Sequence, residues 1–501
     1  MLQLPDLRIS DNSYFALIAA ACFGVGLIVR SYLTKSGSSL PLPPSPLTSR
    51  LRGHSLPLRN PFLTVAEWVD EYGPLITIRR GTEKIVIIGR HKAAVDIMEM
   101  QGGSVADRPR MVAAGEILSG GHNLVFTPVG DRLRQMRRAL HTHLQPKVAG
   151  EYQPLQMSHA KQMILNIDDP SNFRNHTITL FEVAYGKNTP TVVTDLEVIE
   201  IRQIMDMLRT VWRSATYLVE SIPWLKYLPW YGQELRHGYE IAKRLHTSQL
   251  NRVKQQMQSN ADIGHSFAKH VLENGHLYAL TEIKMAFLAS ALFGGGSDTV
   301  SLAICTVMMA AACFPEEQAK VQAELDEVIG MHRAPTFADQ ESLPRLQAFI
   351  SEALRWRPLA PSGGHLHRNN ILEENYCIPA GTTVYDNHWA ISRDPEVFPD
   401  PHQFKPQRWI NNQGRLRGDL KFFVYGFGQR VCPGKHVANR SVFITSLLIL
   451  WAFQLTQDPT EPLDDMGFMN GSLGRPCSIE FKMRVPEPEL KCMMENYSEV
   501  S

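Results

Sequence analysis

The longest apolar block in the chain runs from Thr281 to Phe314 and is stopped by Pro315. A helix over this block would be roughly 50 Å long, enough to cross a whole domain. A helix apolar on all sides is buried in protein or in lipid. The interruption Gly294-Gly295-Gly296-Ser297-Asp298 disfavours a membrane span, so the pattern predicts a buried central helix. Two short apolar runs, Leu75-Ile76-Thr77-Ile78 and Ile85-Val86-Ile87-Ile88, flank Arg80-Gly81-Thr82 and predict a β-hairpin. From about residue 91 to 360 the periodicity is mainly helical. Beyond 361, turns and short strands dominate, including Thr382 to Tyr385 after Pro379-Ala380-Gly381. A Pro-rich irregular stretch follows to about 425, and a last helix spans about Gly434 to Phe453. The predicted fold class is mainly α with a smaller β part (α+β).

The N-terminus changes this picture. The 16 residues from Tyr14 to Val29 carry no charge, and Ser31 to Leu33 extend the run past Arg30. That is close to the length a bilayer span needs. Arg30, Lys35, Arg50 and Arg52 follow the run, whereas Asp6, Arg8 and Asp11 precede it. The charge bias puts the body in the cytosol behind a retained anchor. A cleaved signal peptide is the alternative, but the run has no positive leader. Leu40-Pro41-Leu42-Pro43-Pro44-Ser45-Pro46 cannot be helical and reads as a stiff or disordered connector. The chain divides into a lumenal tail and anchor over 1–33, a Pro-rich linker over 34–60, and one catalytic domain over 61–501.

Composition excludes more than it selects. Net charge is +1, from 51 Lys and Arg against 50 Asp and Glu, so no nucleic-acid partner is expected. The seven cysteines are scattered, odd in number and free of C-x-x-C pairs. This argues against a disulfide framework and against a structural zinc site, and a reducing compartment fits. Sequons at Asn175, Asn439, Asn470 and Asn496 stay unused if the body is cytosolic.

The chemistry concentrates in Tyr425-Gly426-Phe427-Gly428-Gln429-Arg430-Val431-Cys432-Pro433-Gly434. Three glycines allow a tight loop and close backbone approach. Cys432 precedes a helix start, where backbone N–H groups favour a thiolate, and Arg430 adds positive charge. A lone cysteine is more often a small buried hydrophobe, but this setting shifts the balance. The loop resembles the haem-binding signature F-x-x-G-x-R-x-C-x-G of the cytochrome P-450 family, with Tyr425 where Phe is usual. The resemblance implies that Cys432 is the axial ligand of haem b iron and that Arg430 pairs with a propionate. Phe427, Gly428 and Gly434 shape the loop.

Further segments resemble the same family in the same order. Gly295-Gly296-Ser297-Asp298-Thr299 resembles its oxygen-activation motif, with Val300 in place of Thr or Ser. Thr299 is placed to bond back to the Gly295 carbonyl, and Asp298 with Thr299 forms a candidate proton relay. A kinked structural helix is the bland alternative. Glu352-Ala353-Leu354-Arg355 resembles E-x-x-R, and Pro406-Gln407-Arg408-Trp409 resembles P-x-R-[FW]. Glu352, Arg355 and Arg408 are expected to form a structural triad. Gly130 to Arg138 resembles the W-x-x-x-R helix, with Leu133 replacing Trp and Arg137 as the propionate ligand. Arg134 and Arg138 form an i,i+4 basic face, with Lys435 and Arg440 as candidate neighbours. His367 or Arg368 is a weaker propionate candidate.

The resemblance spans nearly the whole chain and is nearest to the fungal, microsomal type. It implies a cytochrome P-450 fold with the long helix over a buried haem. It implies a single-pass endoplasmic reticulum enzyme, monomeric, drawing NADPH electrons through NADPH–cytochrome P-450 reductase. One oxygen atom of O₂ would enter an apolar small molecule, in secondary metabolism or xenobiotic oxidation. Substrate contacts are expected near 106–123, 210–230, 287–299, 361–367 and 468–473, including Met111, Leu118, Trp212, Phe287, Phe293 and Leu473. An O₂-independent haem-thiolate isomerase or dehydratase, and a non-catalytic haem-binding protein, are the alternatives.

Overall fold

The computed structural model describes residues 24–26, 40–48, 53–57, 59–80, 83–165, 183–186, 195–212, 217–259, 262–360, 362–366, 370–373, 375–420, 423–458, 460, 464–466 and 479–497. Apart from Gly24 to Gly26, the expected anchor lies outside them.

Among the described residues the architecture is helical, with three small sheets. In chain order the longer helices are α1 (Pro61–Tyr72), α2 (Asp131–Leu144), α3 (Gln153–Leu165), α4 (Leu196–Trp212), α5 (Gln233–Gln258) and α6 (Phe267–Asn274). They continue with α7 (Glu282–Cys313), α8 (Pro315–Val328), α9 (Pro344–Trp356), α10 (Lys435–Ala452) and α11 (Glu487–Glu495). The predicted central helix is α7, within one residue of its expected ends. It packs against α5, α9 and α10. Among the described residues it is the one helix long and apolar enough to cross a membrane, yet 78% of its apolar window is buried inside the protein. Its hydrophobicity is therefore that of a core element. Pro315 starts α8 directly after it, because proline has no N–H to continue α7 but fits the first turn of a new helix.

The predicted hairpin forms strands β1 (Leu75–Arg80) and β2 (Glu83–Ile88), antiparallel with Leu75 opposite Ile88. Strands β3 (Ser362–Leu366), β4 (Ile371–Glu373), β5 (Tyr376–Ile378) and β6 (Thr383–Asn387) follow. The main sheet has the order β1-β2-β6-β3, with β2 and β6 parallel. Strands β7 (Phe453–Gln457) and β8 (Ile479–Met483) pair beside the end of α10. The proline stretch is extended and lies against this β part. The Pro44 carbonyl accepts from Thr77 N at 2.7 Å, and the Pro41 carbonyl from Cys377 N at 2.9 Å.

The main core gathers α2, α3, α5, α6, α7, α9 and α10. It encloses two neutral histidines. Burial depresses the pKa of His143 to about 3, with the nearby His265 and His270 adding to the effect. Burial alone depresses His246 to about 3. Unfolded, both titrate near 6.5. Below that pH the unfolded chain takes up protons that the folded chain refuses, so stability falls with pH. At pH 5.5 each histidine is expected to cost about 1 kcal/mol relative to pH 7.5. Urea midpoints at the two pH values would show it, and His246→Gln should remove about 1 kcal/mol of the pH-dependent loss. An unaltered pH dependence in that variant would refute the assignment.

Candidate active site

Cys432 sits in the loop that connects the β part to α10. The loop is built from the glycines upward. Gly426 and Gly428 have φ of 77° and 56°, a left-handed backbone that side chains disfavour. A Cβ on Gly428 would lie 2.1 Å from the Met98 carbonyl oxygen, so only glycine lets this turn press against the segment before Ala106. Phe427 is buried at 2% exposure and packs in a cluster with Phe398, Trp409 and Phe423. Cys432 N donates to the Tyr425 carbonyl at 2.9 Å, closing the loop. Gly434 follows, with its Cβ position 4.0 Å from the Cys432 sulfur.

The thiol feels opposing influences. Burial raises its pKa, while backbone N–H groups of Gly434 and Lys435 and the charges of Arg137 and Lys435 lower it. The helix start expected from sequence is thus present, but the cations acting on the sulfur are Arg137 and Lys435. Arg430 turns elsewhere: Nε donates to the Ala106 carbonyl at 2.5 Å and Nη2 to the Thr127 carbonyl at 2.8 Å. Arg137 Nη2 donates to the Val431 carbonyl at 2.9 Å. Leu133, at the position where Trp was expected, is buried at 6% exposure.

Arg108 joins this group, and sequence reasoning missed it. Burial lowers the pKa of Arg430 to about 10, and repulsion from Arg108 and Arg137 adds to the effect. Arg108 is lowered by burial and by Arg137, against the opposing charge of Asp386. Burial also lowers Arg137, against the charge of Cys432. Three partly desolvated guanidiniums that repel one another form a site suited to a multiply anionic group. The donor set of one thiol and three converging cations fits an iron porphyrin with two carboxylates. Arg108 carried no sequence signal, because its role depends on chain segments far apart.

Tyr425 keeps its ring by the thiol. Burial and the neighbouring Cys432 push its phenol pKa up. Its hydroxyl donates to Asn439 Oδ1 at 2.6 Å, so the departure from Phe adds a bond between the loop and α10. His367 and Arg368 lie outside the described residues, as do Leu473 and the Trp212 side chain.

On α7, Thr299 Oγ1 donates to the Gly295 carbonyl at 2.8 Å, as its spacing predicts. Asp298 does not face that groove alone: it forms an ion pair with Arg209 of α4. Of the expected substrate contacts, Leu118 and Phe293 are 3% and 2% exposed and belong to the core. Phe287 is ringed by His122 and His246, at centroid distances of 5.1 and 4.8 Å.

Behind the loop, Glu352, Arg355 and Arg408 meet. Arg355 binds both Glu352 oxygens at 2.8 Å, and neither side chain is exposed. Arg408 Nε reaches Glu352 Oε1 at 3.1 Å and Trp409 Nε1 reaches Oε2 at 3.0 Å. The basic face is smaller than expected, because Arg134 pairs with Asp131 one turn back. Arg138 is exposed. Lys435, Arg440 and His141 all act on His436, whose pKa burial and these neighbours lower.

The chain is similar to known proteins over most of its length. The chain is 44% identical to Cytochrome P-450 monooxygenase 113 of Postia placenta, over 94% of this chain and 97% of that one. It is 43% identical to Cytochrome P-450 monooxygenase 64 of the same fungus, over 97% and 98%. It is 34% identical to the echilunin cytochrome P-450 monooxygenase of Aspergillus ruber, over 94% and 87%. A zebrafish cytochrome P-450 solved with progesterone shares the fold at a TM-score of 0.68, with 22% identity, over 82% of this chain and 96% of that one. The family model for cytochrome P-450 matches residues 41–483, and the chain belongs to the cytochrome P-450 family, as a haem-dependent monooxygenase.

Proposed function

We propose that the protein is a microsomal monooxygenase that takes NADPH electrons through NADPH–cytochrome P-450 reductase and oxidises an apolar small molecule in fungal secondary metabolism or xenobiotic breakdown. The observation that carries this reading is the Cys432 thiol at the start of α10 beside Arg137, with Arg108 and Arg430 in turn close to Arg137. Cys432 would ligate the haem iron, and Arg108, Arg137 and Arg430 would hold its carboxylates. Haem, when bound, combines O₂, two electrons and two protons to place one oxygen atom in a C–H or C=C bond and release the other as water. The chain's residues supply the rest. Cys432 donates electron density as thiolate. Phe427, Gly428 and Gly434 keep the loop closed around it, and Tyr425 ties it to Asn439. Thr299 opens the α7 backbone at Gly295, and the neighbouring Asp298 carboxylate is the group through which protons pass toward that groove. Arg138, Lys435 and Arg440 offer a basic face to an acidic electron donor.

A single N-terminal anchor in the endoplasmic reticulum membrane, a cytosolic body and a monomeric state complete the proposal. The charge asymmetry around Tyr14 to Val29 supports the topology. NADPH oxidation by the full chain in lipid nanodiscs is expected to require O₂ and added reductase, and to fall with added salt as the charges are screened. Turnover without NADPH would replace the reading with an isomerase, and haem binding without NADPH oxidation would replace it with a carrier.

A further inference from the structure

We propose that the place where the 119–123 loop meets α5 and α7 binds a carboxylate, so that the molecule oxidised is an amphipathic organic acid with an apolar body. The inference rests on the reading of the protein as an enzyme of an apolar small molecule, and narrows that reading to a class. The loop is fixed first. Gly120 and Gly121 take φ of 55° and 73°, and a side chain at Gly120 would collide with the Tyr239 ring of α5. His122 is set against Phe287 of α7 at a centroid distance of 5.1 Å, and Phe287 stacks on Tyr239 at 6.1 Å. His122 Nδ1 is buried and has no hydrogen-bond partner among the described residues. Such a nitrogen calls for an acceptor or donor from outside the chain.

Three cations from three helices surround this ring. Arg132 Nη1 of α2 lies 3.8 Å from the Cβ position of Gly121. Lys243 Nζ of α5 lies 5.9 Å from the Tyr239 centroid. Lys284 precedes Phe287 by three residues and shares its face of α7. Burial lowers the His122 pKa, and Arg132, Lys284 and Lys243 lower it further, so the ring is neutral at pH 7 and the charge here is that of the cations. The carboxylates beside them in sequence are engaged elsewhere: Asp131 pairs with Arg134, and Glu282 with Lys254. Lys243 meets Glu240 of its own helix at 3.9 Å, a long and exposed contact. Arg132 and Lys284 also stand in the first turns of α2 and α7, where the helix dipole disfavours a cation. An anion between them relieves both the mutual repulsion and the dipole. Phe287 lies eight residues before Gly295, about 12 Å along the helix. A carboxylate held here leaves the apolar remainder of its molecule to run along α7 toward the Thr299 groove.

The test is calorimetric titration of the full-length ferric holoprotein in phosphatidylcholine nanodiscs, with empty discs as the blank. The probes are dodecanoate and 1-dodecanol, and the variants are Arg132→Gln, Lys284→Gln, the two combined, and Lys284→Arg. Calorimetry reads binding without turnover, so the result is independent of whether reductase drives oxidation. Dodecanoate should bind the parent at least about tenfold more tightly than the alcohol, and each Gln variant should weaken it about tenfold while leaving the alcohol unchanged. Lys284→Arg should keep the parent affinity. Added salt should weaken dodecanoate in the parent and have little effect in the double variant. Unchanged dodecanoate affinity in the Gln variants, or equal weakening of both probes, would overturn the inference. So would loss of dodecanoate affinity on exchanging phosphatidylcholine for phosphatidic acid, if the double variant lacks that loss, because the cations would then serve a lipid headgroup. Binding of the alcohol alone would overturn the carboxylate site and leave the apolar-substrate reading standing. Binding of neither probe would count against both.

Discussion

Arg355→Met is expected to cost about 3–5 kcal/mol of stability, as removal of one partner from a buried ion pair does. Glu352 is fully enclosed, and its two oxygens are shared by Arg355, Arg408, Trp409 and the Lys405 backbone. Arg355 in turn satisfies the carbonyls of Ser392 and Pro401 at 2.8 Å and of Gln403 at 3.2 Å. Removing the guanidinium leaves a carboxylate short of charge and the Ser392 and Pro401 carbonyls short of a donor, in a region that packs behind the Cys432 loop. Total stability of a domain is only about 5–15 kcal/mol, so little folded holoprotein should survive expression. Arg408→Met should cost less, because Arg408 binds Glu352 through one nitrogen and its other bonds reach Pro399 and Asp400 at an exposed edge. Urea midpoints and haem content of the two variants would rank them. A smaller loss in Arg355→Met than in Arg408→Met would sink the argument. Replacing Glu352 and Arg355 together by apolar residues should be less damaging than the worse single change, because no buried charge is then stranded.

What could be read from the chain follows the range of the interactions. Local signals were legible. The β-branched runs around Gly81 set the hairpin register, and the apolar block between Thr281 and Pro315 set α7 to within a residue. Thr299 needed only the residue one turn before it. Glu352 and Arg355 share a helix face at i,i+3. The pairing of Arg134 with Asp131 has that same spacing, and the expected basic face should have been reduced accordingly. Non-local contacts were not legible. Arg108 gains its place from Arg137, Arg430 and Asp386, brought together only by the fold. Arg209 is 89 residues from Asp298, and nothing in its own helix distinguishes it from a surface arginine. The hydroxyl of Tyr425 read as a departure in the loop. Its meaning comes from Asn439, which in sequence stands out only as the first residue of a sequon.

Cys432→Ser is expected to abolish the red-shifted Soret band of the reduced, carbon monoxide-bound protein while leaving the fold in place. The side chain is half-buried at a helix start, so the substitution exchanges sulfur for a smaller oxygen without opening the core. Gly434 and Lys435 N–H groups and the Arg137 and Lys435 charges remain to receive it. The difference lies in the ligand. A thiolate is a strong electron donor to iron, and the shifted band and the weakening of bound O₂ both depend on that donation. A serine hydroxyl stays protonated near neutral pH and donates far less. Haem retention should fall only in part, because Arg108, Arg137 and Arg430, which would hold the carboxylates, are unchanged. NADPH-driven product formation should drop at least about a hundredfold. Loss of the band together with retained haem and an unchanged urea midpoint is the signature of a removed ligand. A band of unchanged position in Cys432→Ser would show that another residue supplies the sulfur, and the assignment built on this loop would be wrong.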